Sequence, residues 1–179
     1  MGTHVMVDLE TMGVRDDAAI ISIGAVKFDP NSDEISDRFY VRVDLESSIL
    51  FGGKVDGGTV DWWLSDARSD ARQALLADQP VDFASSLHGF CEWYGPAPLP
   101  LWGNGSDFDN VILRNAIKSV GLHVPWNHYH NRCHRTIKNL APSIKPDFGV
   151  KTAHHALADA EVQAKQLQKI AAHLGIIVS

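Results

Sequence analysis

The stretch Val5-Met6-Val7-Asp8-Leu9-Glu10-Thr11 constrains this chain more than any other. Val5 to Leu9 is the most strand-like run near the N-terminus, yet the run carries Asp8 and is followed at once by Glu10. Successive side chains of a strand alternate between faces, so acids at i and i+2 share one face. Two like charges there repel, and desolvating either is costly unless something cationic sits between them. Any sheet that contains this strand must solve that problem.

The rest of the chain reads as α/β. Residues 4–9 form a short apolar strand, and residues 19–28 form a buried one. Residues 37–45 alternate Phe39, Val41 and Val43 against Arg38, Tyr40 and Arg42. Asp29-Pro30-Asn31-Ser32 is a turn, so the first 45 residues predict an antiparallel meander. A flexible loop is expected over 52–58. One helix is expected over 59–76, with Val60, Trp63, Leu64, Ala67, Ala71, Ala74 and Leu75 on its apolar stripe. Further helices are expected at about 82–94, 108–121 and 155–175, with a short strand at 99–104. Strands followed by mixed helices and strands fit one sheet covered by helices, in a single domain over 1–179.

Composition sets the surroundings. The 179 residues are 45% hydrophobic and 21% charged, as in a soluble globular domain with a real core. No apolar run approaches the roughly 18 residues of a membrane span. No basic-then-apolar leader is read at the N-terminus, and Cys91 and Cys133 are the two cysteines. A cytoplasmic location and no disulfide framework are the expectation. The net charge of −6 argues against passive binding of polyanions, unless a metal reverses the field locally.

More acids occur at element ends. The segment Gly103-Asn104-Gly105-Ser106-Asp107-Phe108-Asp109 leads into one predicted helix, and His154-His155-Ala156-Leu157-Ala158-Asp159 opens the last. Any single acid of this kind reads as a helix cap or a dipole partner. The set of four differs: a strand pair and one acid from each of two helices is what a site for hard divalent cations needs.

With these residues in view, the chain resembles the DEDD exonucleases. The residues that carry the likeness are "DLET" (8–11), "FDNVIL" (108–113) with Asn104 before it, and "HHALADA" (154–160). The histidine five residues before the last aspartate places the likeness in the DEDDh subclass. "ISIGAV" (21–26), "WW" (62–63) and "RTIKNLA" (135–141) make it similar to the phage and bacterial single-domain exonucleases and exoribonucleases. The resemblance implies a ribonuclease-H-like fold: a mixed five-stranded sheet, its first three strands an antiparallel meander, flanked by helices. It implies that Asp8, Glu10, Asp109 and Asp159 bind two divalent ions, Mg²⁺ or Mn²⁺. His154 would be the general base on the attacking water, and an i, i+5 spacing puts it in the loop before the helix. The implied activity is 3′–5′ hydrolysis of single-stranded nucleic acid with a free 3′ end, RNA or DNA, to nucleoside 5′-monophosphates. A homodimer is compatible with it, and no membrane partner is expected.

Alternatives stay open at this level. Asp107 competes with Asp109, and His155 with His154; alignment with the family motifs favours Asp109 and His154. Thr11, Met12 and Gly13 are expected near the terminal nucleotide, with Met12 against its base, although loop packing explains them equally. Trp62 falls off its helix's apolar stripe and is a candidate for base stacking, or for edge packing. Asn104 is a candidate substrate contact; Arg135 and Lys138 face phosphates or solvent. His128, His130, His134 and Cys133 are zinc-binding residue types, but strand alternation separates the histidines from Cys133 and no second cluster completes a tetrahedron. Other readings are a short-oligonucleotide hydrolase and a catalytically idle nucleic-acid-binding domain.

Overall fold

A computed structural model describes residues 2–149 and 154–178. The meander is present. β1 (His4–Thr11) pairs antiparallel with β2 (Ile20–Phe28), which pairs antiparallel with β3 (Ile35–Arg42). Two short helices follow, α1 (Leu45–Leu50) and α2 (Gly57–Leu64), and then α3 (Ser69–Ala77) and α4 (Phe83–Tyr94). β4 (Leu101–Gly103) runs parallel to β1, α5 spans Asp109–Ser119, and β5 (Asn131–Cys133) runs parallel to β4. α6 (His134–Leu140) and α7 (Ala156–Leu174) complete the chain. The sheet order is β3-β2-β1-β4-β5, so β1 is central. The mixed five-stranded, ribonuclease-H-like sheet flanked by helices is the architecture the resemblance implied.

Strand parity divides the core. Val5, Val7 and Leu9 face one layer, with Phe83, Leu87 and Phe90 of α4 and Leu113 and Ile117 of α5. Met6 faces the other, with Val26, Phe28, Trp102 and, from α7, Ala160, Ala164 and Leu167. Asp8 and Glu10 share the parity of Met6, so both acids point to the α7 side.

Gly24 lets α7 approach. It is the register partner of Asp8. A Cβ there would overlap the carbonyl carbon of Ala156 and the amide nitrogen of Leu157, which is backbone and cannot swing aside. The N-terminus of the helix therefore lies directly on the sheet beside the paired acids.

Three expectations differ from the structure. The helix expected over 59–76 is broken: α2 ends at Leu64, a 3-10 turn covers Asp66–Arg68, and α3 follows. Ser65 is extended (φ −63°, ψ 150°), and Arg72 Nη1 donates to the carbonyls of Trp63 and Ser65, satisfying the end that the break exposes. Leu64, counted on the apolar stripe, is consequently exposed. The loop expected over 52–58 is partly ordered, since Gly57 and Gly58 open α2. The third strand stops at Arg42; Asp44 caps α1 by accepting from Ser47 N (2.8 Å), which turns Leu45 into a helical residue.

Gly24→Ala should cost about 3 kcal/mol or more, the upper end of overpacking against unyielding atoms. Urea melts check it. The expected destabilisation should exceed that of Gly89→Ala, where an added Cβ meets only Phe39 ring atoms at 3.8–4.0 Å. Equal costs at the two glycines would show that the α7 contact yields.

Candidate active site

Three elements bring four carboxylates together. β1 supplies Asp8 and Glu10, the first turn of α5 supplies Asp109, and the first turn of α7 supplies Asp159. They line one cleft of about 350 Å³ with Asn104, His134, Arg135, Lys138, His154 and Gln163.

Each acid is held differently. β1 pairs with β4 only at Val5–Leu101 and Met6–Trp102. Beyond that pairing the Leu9 amide donates to Asp109 Oδ1 (3.2 Å), and the Asn104 amide donates to Asp109 Oδ2 (3.0 Å). Asp109 is buried, whereas Asp107 is exposed. Gly103 makes room for Asp109, because a Cβ there would lie 2.9 Å from the Asp109 Cβ. Gln163 Nε2 donates to Asp8 Oδ1 (2.7 Å). Glu10 is buried, and its Oε1 has no hydrogen-bond partner among the described residues.

His154 sits outside the helix, as the i, i+5 spacing required. Its φ of 62° is the one positive value among the described non-glycine residues. That turn aims its amide at Asp159, donating to Oδ2 (2.8 Å). Its ring meets the Trp62 ring edge-on, with centroids 4.9 Å apart. One ligand atom each from Glu10, His154 and Asp159 lies within 4.8 Å of the others, a donor set able to hold a cation or a water between them. His155 plays the other part: it caps α7, its Nδ1 accepting from Ala158 N at a long 3.5 Å, and it stacks on Tyr40 (4.5 Å).

A second hollow of about 620 Å³ adjoins the cleft through Leu9, Glu10 and Phe108, and its walls include Thr11, Gly13, Val14, Trp62 and Trp63. Thr11 and Gly13 are therefore placed at the site. Met12 is not on that lining; it packs against the small cluster of Ile21, Trp63 and Ala71. Trp63 is buried and its Nε1 donates to the Thr11 carbonyl (3.0 Å). Trp62 is exposed toward the hollow, with the Arg68 guanidinium 4.3 Å over its ring. Asn104 accepts from Arg135 through its carbonyl (2.7 Å) and from Lys138 through Oδ1 (3.2 Å).

Three contributors escape a sequence reading. Gln163 lies four residues after Asp159, on the same face of α7, which is the one signal that could have marked it. Phe108, quoted only as part of the FDNVIL motif and given no role there, joins the two hollows, and Arg68 covers Trp62 without a local signature. The histidine-rich segment does not form a metal cluster among the described residues: His128–His130 is a 3-10 turn, and His134 is buried at the start of α6.

Electrostatics makes this cleft costly. Burial, then Asp109, Glu10 and Asp159, push the Asp8 carboxyl well above the usual range, and the Gln163 hydrogen bond only partly opposes them. Burial, then Asp159 and Asp109, push Glu10 up to about 8. Burial pushes Asp109 up to about 7 against its two backbone donors, and Asp159 up to about 6 against the His154 amide. Burial, then Arg68, pulls the His154 imidazole down, which keeps it neutral near pH 7.

The comparisons with known proteins agree with this geometry. The family model of the 3′-5′ exoribonuclease Rv2179c-like domain matches residues 3–171. The chain belongs to that family. It is 26% identical over 127 residues to an exodeoxyribonuclease of Enterobacteria phage T4, covering 64% of this chain and 56% of the phage protein. The chain thus spans about half the length of that curated relative. Escherichia coli exonuclease I in complex with a dT13 oligonucleotide superposes with a TM-score of 0.67 at 15% identity, over 98% of this chain and 43% of that one. Exonuclease X in complex with 5′ overhanging duplex DNA gives 0.56 at 16% identity, over 96% and 92%. The DEDD exonuclease resemblance and its ribonuclease-H-like fold stand. Among the described residues no helix is long and apolar enough to cross a membrane.

The raised carboxyls predict a pH dependence for the protein kept free of divalent cations. A folded state that holds protons to higher pH than the unfolded chain loses stability as pH rises, from the ordinary carboxylate range near 4 up to about 8. His4 and His134, both lowered to about 4, and His154, also lowered, act oppositely up to the ordinary imidazole range near 6.5, and the lowered Cys133 thiol does so toward its ordinary value of 9, so the raised carboxyls set the direction from about 7 to 8. In EDTA the melting temperature should fall from about pH 7 to 8. Asp8→Asn at pH 8 should raise it by at least about 2 °C, the shift that about 1 kcal/mol gives in a domain of this size. An unchanged or lower melting temperature in that variant would refute the repulsion.

Proposed function

We propose that this chain is a metal-dependent 3′–5′ exonuclease that hydrolyses single-stranded nucleic acid, RNA or DNA, to nucleoside 5′-monophosphates. The observation that carries the reading is the convergence of Asp8, Glu10, Asp109 and Asp159 from three elements into one cleft with His154 at its edge. Family membership and the fold support it; the substrate named for the family is RNA, and the name of the phage relative specifies DNA.

The donor set fits hard divalent cations. All four acids offer oxygen, the buried Glu10 Oε1 lacks a partner, and no lysine or arginine forms an ion pair with any of the four among the described residues. Asp8, Glu10, Asp109 and Asp159 would hold two ions, Mg²⁺ or Mn²⁺. Such ions neutralise charge on the phosphate and acidify a bound water. The chain's own residues do the rest. His154 accepts a proton from the attacking water, a role that needs the neutral imidazole. Water oxygen bonds to phosphorus, the bond to the 3′ oxygen breaks, and the leaving oxygen takes a proton from solvent. Trp62 and Phe108 offer apolar faces for the terminal base in the adjoining hollow, and stacking of this kind is worth about 1–3 kcal/mol per base.

The direct test is incubation with Mn²⁺ and 5′-labelled single-stranded RNA and DNA. A ladder shortening from the 3′ end, with mononucleotide release, is expected. Binding without cleavage would leave only a binding module. Asp109→Asn should slow the reaction by about 10²-fold or more, because its amide nitrogen would face one of two backbone donors. Asp107→Asn should cost far less, and equal effects in the two would overturn the choice of ligand.

His154 is tested against its neighbour. His154→Ala should lower the single-turnover rate by about 10²–10⁴-fold. His155→Ala should lower the melting temperature, because it removes both the helix cap and the ring stacked on Tyr40, and should retain its rate per folded molecule. A retained rate in His154→Ala would remove the general base from the mechanism.

A further inference from the structure

The two adjoining hollows differ in chemistry. The one beside Trp62 is walled by Thr11, Gly13, Val14 and the indoles, and the cation on its wall, Arg15, is paired with Asp17 (3.3 Å). The other is the carboxylate cleft itself, whose α6 side carries Arg135 and Lys138. Neither forms an ion pair with a carboxylate among the described residues. Both instead lean on a single neutral residue, Asn104: Arg135 Nη2 on its carbonyl (2.7 Å), Lys138 Nζ on its Oδ1 (3.2 Å). The Asn104 amide in turn donates to Asp109 Oδ2 (3.0 Å). An acidic chain of net charge −6 thus keeps two cations out of ion pairs and ties their bracket to a site acid.

We infer that Arg135 and Lys138, braced on Asn104, form a phosphate-binding subsite for the nucleotides upstream of the scissile bond, and that the enzyme therefore prefers oligonucleotides to dinucleotides. This rests on the exonuclease reading above. The arrangement sets the polarity of the strand: the apolar hollow takes the terminal nucleoside, the carboxylates face the scissile phosphate, and the α6 side of the carboxylate cleft takes the backbone that follows. Arg135 and Lys138 keep donors unused by Asn104, since a guanidinium has five and an ammonium three. A dinucleotide has no phosphate to give them beyond the one that is cut. The two cations are positioning residues for binding, and the site acids and His154 remain the catalytic ones.

The experiment compares wild type, Arg135→Gln, Lys138→Gln and the double variant on 5′-hydroxyl oligonucleotides of two, three, five and eight residues, in Mn²⁺. Wild type should show kcat/KM rising from two residues to five. In the double variant the ratio of kcat/KM for the five-residue to the two-residue substrate should fall at least tenfold, through KM more than kcat. Anisotropy with a labelled eight-residue strand in EDTA should show weaker binding. The slope of log Kd against log salt should be reduced by about 0.7 for each phosphate that the variant no longer engages. Arg135→Lys should recover part of the ratio. An equal reduction on every length would move the two cations to the scissile phosphate and overturn the subsite, as would an unaltered ratio. Failure of wild type to cut any strand would instead defeat the exonuclease reading, and the subsite with it.

Discussion

The approach of Ala156 and Leu157 to Gly24 is the contact on which the rest depends. Gly24 lies across from Asp8 in the central strand pair, so a missing side chain on β2 leaves a gap beside the acids of β1. The backbone at the start of α7 fills it. Because Asp159 is in the first turn of that helix and His154 is two residues before it, the depth of this contact sets where both side chains enter the cleft. Hydrophobic burial of Ala160, Ala164 and Leu167 against Met6 and Val26 then keeps the helix in place.

The same contact concentrates the electrostatic cost. Burial in one cleft raises the pKa values of all four carboxyls, their neighbours raise Asp8 and Glu10 further, and the metal-free fold carries that cost. The hydrogen bonds that could relieve it are few and directional: two backbone amides on Asp109, one amide on Asp159 and one side chain on Asp8. They orient the acids more than they neutralise them. Local rules are broken where a site must do work, and the positive φ of His154 is a second instance in the same place. His154 is held there by its amide on Asp159 and its ring on Trp62, while the next residue caps the helix.

The two tryptophans divide a related task. Trp63 is buried and fastens the strand end through the Thr11 carbonyl, so it sets the wall of the terminal hollow. Trp62 lies on that wall, with Arg68 over its ring and the His154 ring edge-on to it. Adjacent residues on a helix point about 100° apart, so one can anchor while the other faces the cleft.

Local regularities in the sequence determined a great deal here. Period-two parity placed Asp8 and Glu10 on one face of β1, and the i, i+5 spacing kept His154 out of α7. The off-stripe position of Trp62 marked it as exposed. The ordered motifs pointed to the fold before any contact was known. These features depend on geometry within a single element, which the chain order carries. Tertiary structure decided what depends on space between elements. Asp109 and Asp107 stand two residues apart at one helix start; the motif alignment favoured Asp109, and the open Leu9 amide on β1 and the gap over Gly103 are the physical reason it enters the cleft. Ser65 breaks an apolar stripe that periodicity had joined, because Arg72 reaches back to cap the exposed carbonyls. Met12 turns into a pocket of Ile21, Trp63 and Ala71, and Gln163 meets an acid 155 residues away. Each of these outcomes is fixed by a partner distant in the chain, and a partner of that kind leaves no period or spacing behind to be read.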